Sequence, residues 1–376
     1  MKTFSLIAAL FLLLTGPVAA AAPPVPPPIA AKGYLLEDFS SGAVLAEHGA
    51  DKRLEPASLT KIMTAYVVFH ELEAGNISLQ DQVLVSKKAW KTPGSRMFIE
   101  VGKKVSVDDL IHGMIVVSGN DACVALAEHI AGSEESFVAL MNEYARRLGM
   151  DGTHFINATG LPHPDHYTTP SDILKVTRAL IREFPQYYPI YSQRQFTYNG
   201  ITQKNRNRLL WRDPSVDGVK TGHTSTAGYC LVASAKRDGM RLLSVVMGTA
   251  SEEARAQESQ KLLNYGFRFY QTHRLFRAGQ TLREVRVWKG DRNHLPLGLE
   301  QDLVVTIPRG SYDHLKARTR LQTGIVAPVK AGQPLGRLIV ELDGEPLEEV
   351  PLVALRPVEE GGFFHNLVDS LLMIFE

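Results

Sequence analysis

Pro56-Ala57-Ser58-Leu59-Thr60-Lys61-Ile62-Met63-Thr64-Ala65 is the stretch from which the rest of the chain can be read. Ile62, Tyr66 and Phe69 recur at i, i+4 and i+7, which predicts a helix over 58–73, closed by Gly75-Asn76. If the helix begins at Ser58, Lys61 stands one turn on, on the same face. A serine hydroxyl is a poor nucleophile and needs a base within hydrogen-bond reach. A lysine serves once desolvation or a neighbouring cation lowers its pKa. On its own an S-x-x-K is common, and its plain reading is a helix start with a solvated lysine.

Two more short motifs follow in order. Ser106 and Asp109 form an S-x-x-D cap ahead of a run containing Leu110, Met114 and Val117, and that helix breaks at Ser118-Gly119-Asn120. A second helix is expected over 121–130, ending at Gly132. Lys220-Thr221-Gly222 precedes two alternating runs, 229–235 and 242–247, joined at Asp238-Gly239 as a hairpin. Taken singly, the second motif is a helix cap and the third a polar start to a strand.

Working outward, 34–39 and 43–46 read as a hairpin around Ser40-Ser41-Gly42, and 255–270 as a long helix. The segment 133–215 mixes helices with polar loops marked by Pro162, Pro164, Pro170, Pro185 and Pro189. Beyond Thr272 short β-type runs dominate, at 282–288, 303–307, 338–342 and 350–355, with glycines between them. They predict a small all-β domain over 275–357.

The two ends have their own character. Lys2, the apolar run 4–14 and the small residues Val18-Ala19-Ala20-Ala21 read as a secretory signal peptide over 1–21, the apolar run being too short to span a membrane. A Pro-rich spacer covers 22–31. The mature protein is therefore expected outside the cytoplasm. Phe363, Leu367, Leu371 and Phe375, with Phe364, Val368 and Leu372 beside them, make 361–376 an amphipathic helix behind Gly361-Gly362. It is read as an independent membrane-associating element, the alternative being a helix packed on the β-domain. It carries no Lys or Arg, so its binding would rest on apolar burial.

The chain has 376 residues, 44% apolar and 22% charged, with a net charge of +1. That composition excludes a disordered, collagen-like or disulfide-scaffold protein, and near neutrality argues against a nucleic-acid partner. Cys123 and Cys230 both sit in apolar runs, where small buried thiols and a disulfide are each open readings. Twelve histidines without an H-E-x-x-H or paired spacing give no metal site, and no cofactor is expected.

S-x-x-K, S-x-N and K-T-G together form the signature of penicillin-binding proteins and class A β-lactamases. With their flanks, Val117-Ser118-Gly119-Asn120-Asp121-Ala122 and Asp217-Gly218-Val219-Lys220-Thr221-Gly222-His223-Thr224 among them, the chain resembles the low-molecular-weight penicillin-binding proteins, the D-alanyl-D-alanine carboxypeptidases. The resemblance is strong over 32–270, and the β-domain and terminal helix fit the family's layout.

The fold it implies is an α/β (α+β) β-lactamase/transpeptidase-like domain over 32–272, then the β-domain and the helix. The implied activity removes the terminal D-alanine from peptidoglycan pentapeptides through an acyl-enzyme on Ser58. The same serine would bind β-lactams covalently. In the implied roles Lys61, held neutral partly by Lys220, takes the serine proton, and Ser118 relays a proton to the leaving D-alanine. Asn120 bonds the substrate's peptide, and Lys220 and Thr221 face its terminal carboxylate. Gly222 lets the strand approach, the backbone N–H groups of Ser58 and His223 form the oxyanion hole, and Arg206 and Arg255 stand near the pocket. The segment 155–161 lacks the deacylating glutamate of class A β-lactamases. A D,D-endopeptidase and a catalytically weak cell-wall-binding protein are the alternatives. The implied partners are the peptidoglycan stem peptide and, through 361–376, the outer leaflet of the cytoplasmic membrane, with the enzyme in the periplasm.

Overall fold

The computed structural model describes residues 23–373. The expected signal peptide over 1–21, Ala22 of the spacer and Phe375 of the terminal helix lie outside the described residues. The rest of the spacer does not stand free, since Tyr265 Oη donates to the Pro24 carbonyl at 2.9 Å.

Five antiparallel strands form the central sheet, in the order Val44–His48, Gly33–Asp38, Met240–Thr249, Gly228–Arg237 and Val216–Thr224. Alternation along each strand sorts the side chains between two cores. Leu35, Val232, Val245 and Met247 face the larger, helical core. Leu36, Leu231, Leu242 and Val246 face the smaller one, closed by Leu262 and Leu263 of the helix Glu252–Phe269. Each of those two leucines stabilises the packing by about 1.5–3 kcal/mol when fully buried. In the larger core the helix Thr60–Glu73 is buried without a break from Thr60 to Phe69. Val107–Val116, Asn120–Ala131, Glu134–Arg147 and Pro170–Glu183 surround it. This is the α/β fold expected from the motifs.

Particular elements differ from their expectation. Ser58 lies in a 3₁₀ turn, Ala57–Leu59, and the α-helix starts at Thr60. The hairpin at Asp238-Gly239 is longer than its apolar runs, with ten residues in each strand, and both turn residues have positive φ, 48° and 84°. The helix expected from 255 starts at Glu252, where the Ser251 hydroxyl accepts from the Ala254 N–H, and ends at Phe269. Tyr270 then opens a strand, Tyr270–Phe276, paired with Leu303–Pro308. No glycine or proline marks that change, and the strand's Gln271, Thr272, His273 and Arg274 hide its β character.

The β-domain contains a five-stranded sheet in the order Arg283–Arg286, His294–Gly298, Glu345–Ala354, Pro334–Leu342, Leu315–Leu321. Leu315–Leu321 was not expected, because Lys316, Arg318 and Arg320 point to solvent from an edge strand. Thr272 Oγ1 donates to Asp38 Oδ2 at 2.7 Å, tying the start of this region to the central sheet.

The terminal helix spans Phe363–Leu372. It is neither free on its joint nor buried through its apolar side. The Gly361 N–H donates to the Lys289 carbonyl at 2.8 Å, and a Cβ on Gly361 would lie 2.6 Å from the Gly290 carbonyl oxygen. Asp369, 3% exposed, accepts from the Lys289 N–H and lies 3.6 Å from the Arg286 guanidinium. The polar side thus seats on the β-domain, and Phe363 (78% exposed), Phe364 (81%), Leu367, Val368, Leu371 and Leu372 face outward. Among the described residues no helix is long and apolar enough to cross a membrane.

Candidate active site

The three motifs converge on a cleft of about 390 Å³ whose lining includes Ser58, Ser118, Asn120, Thr221, Arg206 and Arg255. Ala57 carries a positive φ of 47°, which turns the chain sharply before the helix and leaves the Ser58 side chain at the cleft floor. One helical turn on, Lys61 is 1% exposed. Its Nζ lies 3.0 Å from Ser58 Oγ, 2.6 Å from Asn120 Oδ1 and 2.6 Å from the Thr159 carbonyl.

Two of those partners only accept. A carbonyl has no proton to give, and the Asn120 amide is oriented by its Nδ2, which donates to the Pro93 carbonyl at 2.6 Å. A neutral Lys61 would therefore spend both N–H groups on Asn120 and Thr159 and turn its lone pair to the Ser58 hydroxyl. Burial is the largest cause lowering the Lys61 pKa; Cys123 and the Asp121 carboxylate oppose it, and Arg206 lowers it further. Desolvation thus leads, and the repulsion between the two lysines is expressed in the lowered pKa of Lys220.

Ser118 has a positive φ of 63°, and its hydroxyl accepts from Lys220 Nζ at 3.0 Å. Lys220 is 3% exposed, and its pKa is held well below the lysine range, first by burial and then by Lys61 and Arg206. Asn120 was expected to bond the substrate. It lines the cleft, where its Oδ1 accepts from Lys61 and its Nδ2 donates one N–H to Pro93, which leaves the second amide N–H for a substrate carbonyl. Gly94 makes the Pro93 contact possible, since a Cβ there would lie 2.6 Å from Asn120 Nδ2.

The strand Val216–Thr224 forms the opposite wall. At Gly222 a Cβ would come within 3.0 Å of the Pro56 carbonyl oxygen and 3.3 Å of Ser58 N, so the glycine sets how closely strand and nucleophile approach. Thr221 and His223 line the cleft, and the His223 ring stacks on Tyr229 at 3.9 Å. Arg206 is exposed at the rim. Arg255, 3% exposed, donates to the Gly222 carbonyl at 3.2 Å and braces the strand.

Several residues of the site carry no motif signal. Thr159 contributes a backbone carbonyl, invisible to side-chain pattern. Its loop is knotted around Asn157 Oδ1, which accepts from the backbone N–H groups of Thr159, Gly160 and Leu161. Gly160, at φ +85°, lies against Ala57, where a Cβ would fall 1.8 Å from the Ala57 carbonyl oxygen. Asp121 is fully buried and accepts from the Met97 and Phe98 N–H groups at 3.0 and 2.9 Å, fixing the 93–99 loop above Asn120. Its place directly after Asn120 was the one available hint. Cys123 and Cys230 are buried free thiols, each with its pKa pushed up to about 11 by burial. Among the described residues no group of three or more His, Cys, Asp or Glu side chains is placed to hold a metal ion.

A family model described as D-alanyl-D-alanine carboxypeptidase matches residues 18–251, and one described as the C-terminal domain of penicillin-binding protein 5 matches residues 270–360. The chain is 46% identical over 376 residues to the D-alanyl-D-alanine carboxypeptidase DacC of Escherichia coli K12, covering 98% of this chain and 94% of that one. It is 44% identical over 355 residues to DacA of the same organism, covering 92% and 88%. The structure resembles the crystal structure of penicillin binding protein 5 from Haemophilus influenzae, with TM-score 0.87 and 44% identity, over 89% of this chain and 99% of that one.

Proposed function

The chain belongs to the D-alanyl-D-alanine carboxypeptidase family, and from that premise we propose how its own residues carry the reaction. The enzyme is a serine-type peptidase that removes the terminal D-alanine of a peptidoglycan stem and takes β-lactams as pseudo-substrates.

The observation that carries the residue assignment is the environment of Lys61 Nζ, with Ser58 Oγ at 3.0 Å and two acceptor-only partners at 2.6 Å. Ser58 Oγ attacks the carbonyl carbon of the penultimate D-alanine while its proton passes to Lys61. The oxyanion rests on the backbone N–H groups of Ser58 and His223. Ser118, bonded to Lys220, gives its proton to the departing amine as the C–N bond breaks and takes back the one that Lys61 holds, so that both are neutral again. The freed D-alanine leaves an ester on Ser58, and water, deprotonated by Lys61, hydrolyses it. Lys220, Thr221 and Arg206 hold the terminal carboxylate. Arg255 acts through the Gly222 carbonyl rather than by touching the substrate.

The enzyme works in the periplasm, exported by residues 1–21, and lies on the outer face of the cytoplasmic membrane through its terminal helix. The outward apolar side of Phe363–Leu372 supports this placement. Ten residues at 1.5 Å each reach about 15 Å, half a hydrocarbon core, so the helix lies in the interface.

The test is release of D-alanine from a diacyl-D-Ala-D-Ala peptide by the wild type and by Ser58→Ala. Loss of release by a folded Ser58→Ala supports the assignment; retained release overturns it.

A further inference from the structure

Beneath the Ser58–Lys61 turn lies a buried imidazole that the steps above do not use. His166 is 2% exposed. Its Nδ1 is 3.0 Å from the Ile156 backbone nitrogen and its Nε2 is 2.8 Å from Thr60 Oγ1. A backbone N–H can only donate, so Nδ1 accepts. The ring is therefore neutral, carries its proton on Nε2 and donates it to Thr60. The Phe155 ring meets it edge-on at 5.8 Å and fixes its plane.

The two partners belong to the two segments that converge on Lys61. Thr60 begins the helix that carries Lys61. Ile156 opens the loop whose Thr159 carbonyl takes a hydrogen bond from Lys61 Nζ. A second tie runs alongside, from Thr64 Oγ1 to the Ala158 carbonyl at 2.7 Å. Loop and helix are thus joined on both sides of the lysine's own contact.

We propose that His166 is a positioning residue for the catalytic base: by bridging Thr60 to Ile156 it holds the Thr159 carbonyl where it takes one Lys61 N–H and leaves the lone pair to Ser58. This rests on the reading of Lys61 as that base. The ionisable groups facing the two centres are His154, His163 and Lys61 around His166, and Asp121, Cys123, Arg206 and Lys220 around Lys61. None of them is altered by substitution at position 166, and the ring that is removed is held neutral by the Ile156 N–H on its Nδ1, so a change in the lysine's titration reports the geometry.

The experiment compares His166→Leu, which fills the space without either hydrogen bond, with His166→Gln, which keeps one donor and one acceptor. Active sites are counted with a fluorescent penicillin, so that unfolded protein does not enter the rate. Per active site, His166→Leu should lose on the order of 30-fold in kcat with KM nearly unchanged, the scale of two buried hydrogen bonds. The acid limb of its kcat profile should move by more than about half a pH unit. His166→Gln should recover most of both.

A His166→Leu with wild-type kcat per site and an unmoved limb overturns the proposal, whatever its thermal stability. Should that variant not fold, Thr60→Val breaks the other end of the bridge, and the same shift or its absence decides. Lys61→Ala separates the two readings. If it still acylates, the base assignment fails and takes the proposal with it. If Lys61→Ala is inert and His166→Leu behaves as wild type, only the role of His166 falls.

Discussion

Lys61 Nζ lies closer to Asn120 Oδ1, at 2.6 Å, than to Ser58 Oγ, at 3.0 Å. The asparagine is thus a fixed acceptor for the base and, through its Nδ2, a strut to the Pro93 loop. Asn120→Asp keeps the shape but sets a carboxylate against the amine, which favours the ammonium form. Acylation at neutral pH should fall by on the order of 100-fold, with activity partly returning as pH rises, because a raised lysine pKa delays loss of the proton. Stopped-flow β-lactam acylation across pH measures this. An unshifted profile would remove Asn120 from contact with a neutral base.

Lys61 and Lys220 both titrate below the ordinary lysine value of 10.5, chiefly through burial, and Lys220 is lowered further by Lys61. The active form keeps one proton between them, drawn to Lys220 by the substrate carboxylate, with Lys61 neutral. At low pH both are charged and no base exists; at high pH both are neutral and the carboxylate loses its partner. The pH dependence of kcat/KM should be a bell whose limbs belong to the pair. Lys220→Ala should mainly raise KM for carboxylate-bearing substrates and remove the alkaline limb. A wild-type alkaline limb in that variant would contradict the pairing.

His166 has its pKa lowered from 6.5 to about 4, with burial the leading cause. Between those values the unfolded chain binds the proton and the folded one does not, so stability is full above about pH 6.5 and declines as pH falls towards about 4. The full loss is about 3 kcal/mol. In His166→Gln this contribution is absent, so the stability gap between the two proteins should narrow from pH 7 to pH 4.5 in urea titrations. A gap independent of pH would mean that the ring is not held neutral.

Deleting 361–376 removes the outward apolar side but neither core of the catalytic domain. Release of D-alanine from short peptides should stay at the wild-type rate while sedimentation with phospholipid vesicles is lost. Because the helix carries no Lys or Arg, binding of the intact protein should persist in about 1 M salt, where the Debye length is near 3 Å. Release by salt would point to an electrostatic contact elsewhere on the surface.

Much of the site was written in side chains at fixed spacings. Ser58 and Lys61, Ser118 and Asn120, and Lys220 to Gly222 were readable because each motif is local and carries its own turn or strand. The remainder depends on where segments meet. Thr159 acts through a carbonyl, Gly160 through the space beside Ala57, and His166 through bonds to residues 10 and 106 positions away. The sharp turn at Ala57 puts Ser58 on a 3₁₀ turn, although the apolar spacing from Ile62 on extends naturally back into a helix. Strands such as Tyr270–Phe276 and Leu315–Leu321 escaped because half-buried and edge strands carry Arg, Lys, His and Thr as readily as loops do.

The most direct measurement of the central claim is to react the intact protein with a β-lactam, digest it and locate the added mass by mass spectrometry. With Ser58 as the nucleophile and Lys61 as its base, a single adduct should map to Ser58, be absent from Ser58→Ala and form far more slowly on Lys61→Ala. An adduct on any other residue, or undiminished labelling of Ser58→Ala, would contradict it.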